Sequence, residues 1–306
     1  MSKILVTGGA GFIGSHLVDR FIEEGHKVYV IDNLSTGKLA NVNQKAKLIN
    51  IDINDAKIGE TILKIKPDYI FHLAAQTSIA KSVTSPKEDL ATNLTALVPI
   101  LESAVKLKVK KFVFASSAAV YGNSKKLPLS EDFPKNPISV YGISKLSAEL
   151  LVGTYKRTHA LPAVILRYAN VYGPRQDSSQ EGGVVSIFIN NLLRGKPLTI
   201  FGDGDQTRDF VYVSDVVRAN ILAVDKNLTG IFNVSTNKKT SINDLLENIA
   251  SLLKQRIEKI QKPARGLEIK NSRLSWNKIK LEADWTPTTD INQGLTETID
   301  FFKNNS

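Results

Sequence analysis

An apolar run, Lys3-Ile-Leu-Val-Thr7, passes directly into Gly8-Gly9-Ala10-Gly11-Phe12-Ile13-Gly14, and a helical pattern over Phe12–Glu24 follows. Glycines in this turn permit a sharp reversal and close backbone approach, so a diphosphate can rest on free N–H groups at the positive end of the helix. A second strand over Lys27–Ile31 leads to Asp32, eighteen residues beyond Gly14. A carboxylate there accepts hydrogen bonds from both ribose hydroxyls and repels a 2′-phosphate. The strand, turn and helix together predict a dinucleotide site, with NAD favoured over NADP. Its contacts on this reading are Gly8, Gly11, Phe12, Ile13, Gly14, Asp32 and the adjoining Asn33. Asp52 and Ile53, after a third strand, are placed to bracket the adenine, with capping of the next helix as the alternative role for Asp52.

The same alternation continues through the first half of the chain. Strands are expected at Lys3–Thr7, Lys27–Ile31, Lys47–Asn50, Tyr69–Leu73, Lys111–Ser116 and Ala163–Tyr168, and helices at Phe12–Glu24, Asp55–Ile65, Glu88–Lys106 and Val140–Thr158. Short β-type runs separated by helices with apolar residues three and four apart predict an α/β fold, a doubly wound parallel sheet of Rossmann type. From about Asn170 the rhythm breaks into Pro- and Gly-punctuated pieces, which predicts a smaller α/β substrate-binding C-terminal domain packed over a cleft. The division expected is 1–169 for the nucleotide-binding domain, with 205–235 returning to it, and 170–204 with 236–306 for the smaller one.

Composition narrows the function classes. The net charge of +10 could signal nucleic acid, but Lys106–Lys111 and Lys254–Arg273 interleave basic with apolar residues, as solvated faces do, and no nucleic-acid partner is expected. With no cysteine, disulfides and thiol chemistry are excluded. The four histidines lack metal-ligand spacing, so no metal is expected. The segment before Ile4 is too short for a signal peptide, and no apolar stretch reads as membrane-spanning. A cytoplasmic protein with no membrane partner is the expectation.

Tyr141-Gly-Ile-Ser-Lys145 opens a helix, and the four-residue spacing puts Tyr141 and Lys145 on one face. Positive charge near a tyrosine favours the phenolate, making it a usable base. Upstream, Ser116 and Ser117 follow the fifth strand and emerge at the carboxyl edge of the sheet, where ligands bind in this architecture. These groups, behind a dinucleotide turn, point to Tyr141 and Lys145, with the Ser116–Ser117 pair at the strand end, as the catalytic constellation; the choice of Ser117 within that pair comes only from the family resemblance given next.

On these and further motifs the chain resembles the extended short-chain dehydrogenase/reductase family, and within it the UDP-glucose 4-epimerase group. The likeness runs from Thr7–Gly14 through His72-Leu-Ala-Ala-Gln76, Asn93, Ser116–Gly122, Tyr141–Lys145, Arg167–Pro174 and Arg208–Asp215 to Trp285-Thr-Pro287. It implies NAD as cofactor, with Leu73, Ala74, Ala75, Gln76, Asn93, Tyr141, Lys145 and Tyr168 among its contacts. It implies a UDP-sugar substrate held by Ser117, Tyr141, Asn170, Val184, Val185, Phe201, Arg208, Arg265 and Glu268. Tyr141 would take the proton of the sugar 4-hydroxyl as hydride leaves C4. Dehydratases and decarboxylases of the superfamily carry an acid just after the catalytic Ser or Thr, whereas Ala118 and Ala119 stand here. Ser272 occupies a position often held by tyrosine in strict glucose/galactose epimerases, which implies room for a 2-acetamido group. The helices Glu88–Lys106 and Val140–Thr158 match those through which relatives form homodimers. A reductase with exchangeable cofactor and a non-catalytic dinucleotide sensor are the competing classes.

Overall fold

The computed structural model describes residues 1–179, 182–264, 266 and 269–305. Its first half alternates strands β1 (Lys3–Thr7), β2 (Lys27–Asp32), β3 (Lys47–Asn50), β4 (Tyr69–His72), β5 (Lys111–Ser117) and β6 (Ala163–Tyr168) with helices α1 (Phe12–Glu23), α2 (Ile58–Ile65), α3 (Ile79–Thr84), α4 (Pro86–Leu90), α5 (Leu97–Leu107) and α6 (Val140–His159). The second half holds β7 (Asn170–Tyr172), α7 (Val184–Leu193), β8 (Leu198–Phe201), β9 (Thr207–Arg208), β10 (Phe210–Tyr212), α8 (Val213–Asp225), β11 (Gly230–Val234), β12 (Thr240–Ser241), α9 (Ile242–Leu253), β13 (Lys259–Lys262), α10 (Asn277–Ala283) and α11 (Ile291–Asn304).

Seven parallel strands form one sheet in the order β11-β6-β5-β4-β1-β2-β3. The direction of winding reverses between β1 and β4, the place where doubly wound sheets bind ligands. The two-residue period of each strand sorts its side chains between two cores. Ile4, Val6, Val113 and Val164 join Leu17, Val18 and Phe21 of α1 on one face. Leu5, Phe112, Phe114 and Ile165 join Ile62 of α2, Ile100 and Leu101 of α5 and Val152 of α6 on the other.

Two expected helices begin elsewhere. The segment expected to be helical from Asp55 becomes so only at Ile58, because the Asp55 carboxylate accepts the Lys57 amide at 2.8 Å in a local turn that competes with the helix. The next helix starts early, since Pro86 suits a first helical position, and it runs to Leu107 through a π turn over Ala91–Thr95. That continuous run of 22 residues holds an 18-residue stretch with a mean hydropathy of 1.3 and is long and apolar enough to cross a membrane by length and composition, which corrects the sequence reading. In this fold its Leu97, Ile100, Leu101 and Ala104 are buried against the sheet.

The smaller lobe has a core of its own, in which Val185, Phe188 and Ile189 of α7 meet Leu245, Leu246 and Ile249 of α9 and Leu295 and Ile299 of α11. Within 205–235, α8 and β11 build the nucleotide-binding half, while β9 and β10 pair with β12 and β7. The expected boundary fails over 274–285: Leu274, Ile279, Ala283 and the fully buried Trp285 pack into the core of the large sheet, with α10 against β11. Side chains tie the lobes together. His16 donates to the Pro174 carbonyl at 2.9 Å, and Arg175 pairs with Asp19 of α1 at 2.7 Å. Asp209, between β9 and β10, accepts the amides of Thr236, Asn237 and Leu274 and the Thr236 hydroxyl at 2.7–3.1 Å. Burial pushes its carboxyl up to about 6 against the pull of these bonds.

Candidate active site

The turn after β1 is built for close approach. Gly8 has a φ of +73°, and a Cβ there would lie 2.7 Å from the Ala74 nitrogen. A Cβ on Gly14 would lie 2.1 Å from the Gly8 carbonyl oxygen, so no larger residue fits without moving the turn. Gly11 leaves α1 without a side-chain cap, and the first helical amides, beginning at Phe12 and Ile13, face outward as donors for an anion. Asp32 closes the far side of the turn and accepts from the amides of Ala10 at 3.0 Å and Leu34 at 2.9 Å. Asp52 caps no helix. It accepts from the Asn33 side chain at 2.6 Å and from the Asn54 amide at 2.7 Å, and Ile53 beside it is buried.

At the carboxyl edge of the sheet β5 delivers Ser117, and α6 brings Tyr141 and Lys145 on one face, its start fixed by the Ser139 hydroxyl accepting the Gly142 amide at 3.1 Å. The Ser117 hydroxyl favours the Tyr141 phenolate, but burial dominates and pushes the phenol up to about 12, with Asp89 adding to the rise. Lys145 Nζ donates to the Ala115 carbonyl at 2.9 Å and lies 5.1 Å from the Phe114 ring centroid. Burial brings its ammonium down to about 8, against the opposing pull of Asp89 and Glu149. The π turn presents Asn93 inward, where it accepts the Gln76 amide at 2.8 Å and donates to the Gln76 carbonyl at 2.9 Å and the Ser144 hydroxyl at 3.2 Å. The loop that follows β4, from Leu73 through Ala74, Ala75 and Gln76, is thereby fastened to α6 at Ser144, next to Lys145. Tyr168, expected at the cofactor, is turned into the core, and its hydroxyl donates to Asn220 of α8 at 2.9 Å.

Behind these groups lies a buried polar chain that the sequence reading missed. Ser116 donates to Glu149 at 2.5 Å, and Glu149 takes two bonds from Arg167, at 2.8 and 2.6 Å. Arg167 also donates to the Tyr121 hydroxyl at 2.9 Å, which donates to Asn233 at 2.7 Å. Glu149 stands four residues beyond Lys145, so helical spacing was a signal that could have found it.

On the substrate side, the structure gathers Asn170, Arg208 and Ser272. The Asn170 amide donates to the Asp209 carbonyl at 2.8 Å, and the Ser272 amide donates to the carbonyl of Thr207, the neighbour of Arg208, at 3.1 Å. Arg208 itself donates to the Thr207 carbonyl at 2.9 Å. Val184 and Phe201 are partly exposed, as a ligand-facing wall requires. Val185 is not such a wall: it is packed in the core of the smaller lobe, because it falls on the inner face of α7. Arg265 and Glu268 lie outside the described residues.

The sequence matches the profile of the NAD dependent epimerase/dehydratase family over residues 4–235, most of the chain. This chain belongs to that family. Solved structures of epimerases share its fold at substantial identity. A UDP-glucose 4-epimerase from Thermotoga maritima, determined with UDP-glucose, is 43% identical, superposes with a TM-score of 0.95 and covers 99% of each chain. A UDP-glucose 4-epimerase of Thermus thermophilus in complex with NAD is 36% identical with a TM-score of 0.95, over 99% of this chain and 100% of that one. A UDP-N-acetylglucosamine 4-epimerase from Methanobrevibacter ruminantium, in complex with UDP-N-acetylmuramic acid, is 37% identical with a TM-score of 0.94, over 100% of this chain and 99% of that one.

As a member of the epimerase/dehydratase family the chain is an NAD-dependent enzyme, and its residues fit that cofactor. The space held open by Gly8 and Gly14 suits a diphosphate, the amides at the start of α1 match its charge, and Asp32 suits unphosphorylated ribose hydroxyls. Tyr141 and Lys145, the candidates for proton transfer, stand at the same edge of the sheet as this cradle. Epimerase/dehydratase chemistry needs that adjacency, because proton and hydride leave the same sugar carbinol.

Proposed function

We propose that this enzyme interconverts UDP-glucose and UDP-galactose by inverting C4 through a 4-keto intermediate, acting in the cytoplasm. The observation that carries this reading is Ser117, Tyr141 and Lys145 gathered beside a cradle that fits NAD, with Ala118 and Ala119 where an acid assists elimination or decarboxylation in other members. NAD, when bound, supplies a two-electron acceptor and donor for the sugar C4. Tyr141 takes the 4-hydroxyl proton as the ketone forms and returns it when the alcohol is restored. Ser117 favours the ionised form of that phenol. Lys145 places a positive charge next to it and so makes the phenolate reachable. Asn170 and Arg208, with Arg265, hold the diphosphate, since an arginine fork donates two bonds at once. The ketone turns over between these anchors and presents its other face, so no net oxidation results.

The test is incubation with UDP-galactose without added cofactor, followed by chromatographic separation of the C4 epimers. Conversion to UDP-glucose is expected. No conversion, even with NAD supplied, would transfer support to a reductase. A broader specificity is favoured by Ser272, which sits next to Arg208 with a small side chain. Turnover of UDP-N-acetylgalactosamine is therefore expected, and Ser272→Tyr is expected to abolish it while sparing UDP-galactose. Equal loss of both substrates would count against the assignment of Ser272.

A homodimer through the Pro86–Leu107 run and α6 completes the proposal. Ile143 and Leu150, seven residues apart on one face of α6, are 47% and 65% exposed, and Leu90 on the neighbouring helix is 37% exposed. Light scattering is expected to give twice the chain mass of 33.6 kDa, and Leu150→Glu to return it to that mass. A monomer at micromolar concentration would remove this part of the proposal.

A further inference from the structure

We infer that Glu149 is a positioning residue: gripped from two neighbouring strands, its carboxylate sets the register of α6 on the end of β5, and with it the place of Tyr141 and Lys145 relative to Ser117. The inference rests on the reading of those three residues given above.

Glu149 stands one helical turn beyond Lys145, and both side chains leave the same face of α6 toward β5. Lys145 Nζ donates to the Ala115 carbonyl at 2.9 Å, and the next residue of the strand, Ser116, donates to Glu149 Oε1 at 2.5 Å. Ser116 lies directly across the ladder from Arg167 of β6. Arg167 reaches the same carboxylate, Nε to Oε1 at 2.8 Å and Nη2 to Oε2 at 2.6 Å. One carboxylate on the helix is thus held from opposed positions of two adjacent strands. The arginine fork fixes the plane of the carboxylate as well as its distance, and the serine hydroxyl adds a second line of pull on one oxygen. Ser116, Glu149 and Arg167 are 4%, 3% and 1% exposed, so water cannot take over these bonds.

The same guanidinium also holds the turn that carries Ser117. The Ser117 hydroxyl caps the 3₁₀ turn Ala118–Tyr121 by accepting the Ala119 amide at 3.2 Å. Tyr121, at the end of that turn, accepts from Arg167 Nη1 at 2.9 Å, and its ring centroid lies 4.8 Å from the guanidinium carbon. Nη1 further donates to the Glu131 carbonyl at 3.2 Å. Strand end, turn and helix therefore share one anchor, and the link from that anchor to the helix is Glu149. A buried ion pair adds little net stability over apolar side chains of the same volume. What this one supplies is direction: α6 cannot slide along β5 without stretching bonds to both strands.

Ser116→Ala removes one of those bonds and leaves the Arg167–Glu149 pair whole, so its thermal midpoint is expected to stay within a few degrees of the parent. Its kcat for UDP-galactose is expected to fall about tenfold, with KM changing by less than about threefold. Glu149→Asp keeps the charge but draws the carboxylate back by one methylene. A loss of about a hundredfold in kcat is expected, again with KM nearly unchanged, because misplacement by about 1 Å is enough for such a loss. Crystal structures of both variants are expected to show Tyr141 and Lys145 displaced by about 0.5–1 Å relative to Ser117. Variants that melt lower but turn over at the parent rate per folded enzyme would make the carboxylate purely structural and overturn the inference, as would a loss carried by KM. If Glu149→Asp does not fold, Ser116→Ala decides the matter by the split of kcat from KM. A parent enzyme that epimerises nothing would sink the proposed function alone. The crystal structure of Ser116→Ala then still tests the register, and Tyr141 unmoved against Ser117 would overturn it.

Discussion

Tyr141→Phe is expected to lower kcat for UDP-galactose about a thousandfold while leaving KM within a few-fold and the thermal midpoint nearly unchanged. On the proposed mechanism the phenol oxygen, whose ionised form Ser117 favours, carries the 4-hydroxyl proton. Phenylalanine fills the same volume and leaves Lys145 on the Ala115 carbonyl, so the loss falls on chemistry and not on folding. Burial, with the Asp89 charge adding to it, pushes the phenol up to about 12, a poor base at neutral pH, so positive charge brought to the site is needed to bring it down. The rate is therefore expected to fall steeply below neutrality, as protons compete for the phenolate. Stopped chromatographic assays from pH 5 to 9 check both points. A variant retaining more than a tenth of the parent rate would remove Tyr141 from the proton path.

Arg167→Met is expected to cost about 3–5 kcal/mol of stability, a fall of roughly 5–10 °C in the thermal midpoint. Arg167 is 1% exposed and holds Glu149 by two bonds and Tyr121 by a third. Methionine replaces most of its volume but strands the Glu149 carboxylate in the core, where an unpaired charge is expensive. The double substitution with Glu149→Leu is expected to recover part of the loss, because it removes the stranded charge as well. Differential scanning calorimetry of the three variants gives the coupling. A single variant as stable as the parent would mean that the buried chain from Ser116 to Asn233 contributes nothing net.

The parts of the fold visible in the sequence were those with a period. Six strands of the large sheet are legible within a residue or two, because each is a short β-type run set between helical patterns. The π turn carries no such signal: an extra residue in one turn leaves the apolar spacing on both sides intact, yet it aims Asn93 at Gln76. The small strands β7 to β13 span at most five residues, and their pairings come from tertiary contacts. For the site, the cradle glycines and the Tyr-Lys pair were legible because their chemistry is local in sequence. Glu149 was passed over despite its four-residue spacing from Lys145, since a carboxylate on a helix reads as a solvated face until the fold shows it buried. Val185 erred in the opposite direction, an apolar residue read as a ligand wall and found in a core.

The ties that join the lobes bear on a different quantity, the fraction of turnovers that abort. Half-way through the reaction the sugar is a ketone with no covalent hold on the protein, and it must outlast its own rotation. Asp209 binds two backbone stretches, at 236–237 and at 274, while Arg175 and His16 pin the turn at 174–175 to the helix that heads the cradle. Walls stitched together in this way do not swing apart as rigid doors, so the intermediate is confined for as long as its diphosphate stays anchored. Commitment to product is then set by tether length and cavity shape, and leakage of ketone should rise when the stitches are cut even though every catalytic atom remains in place.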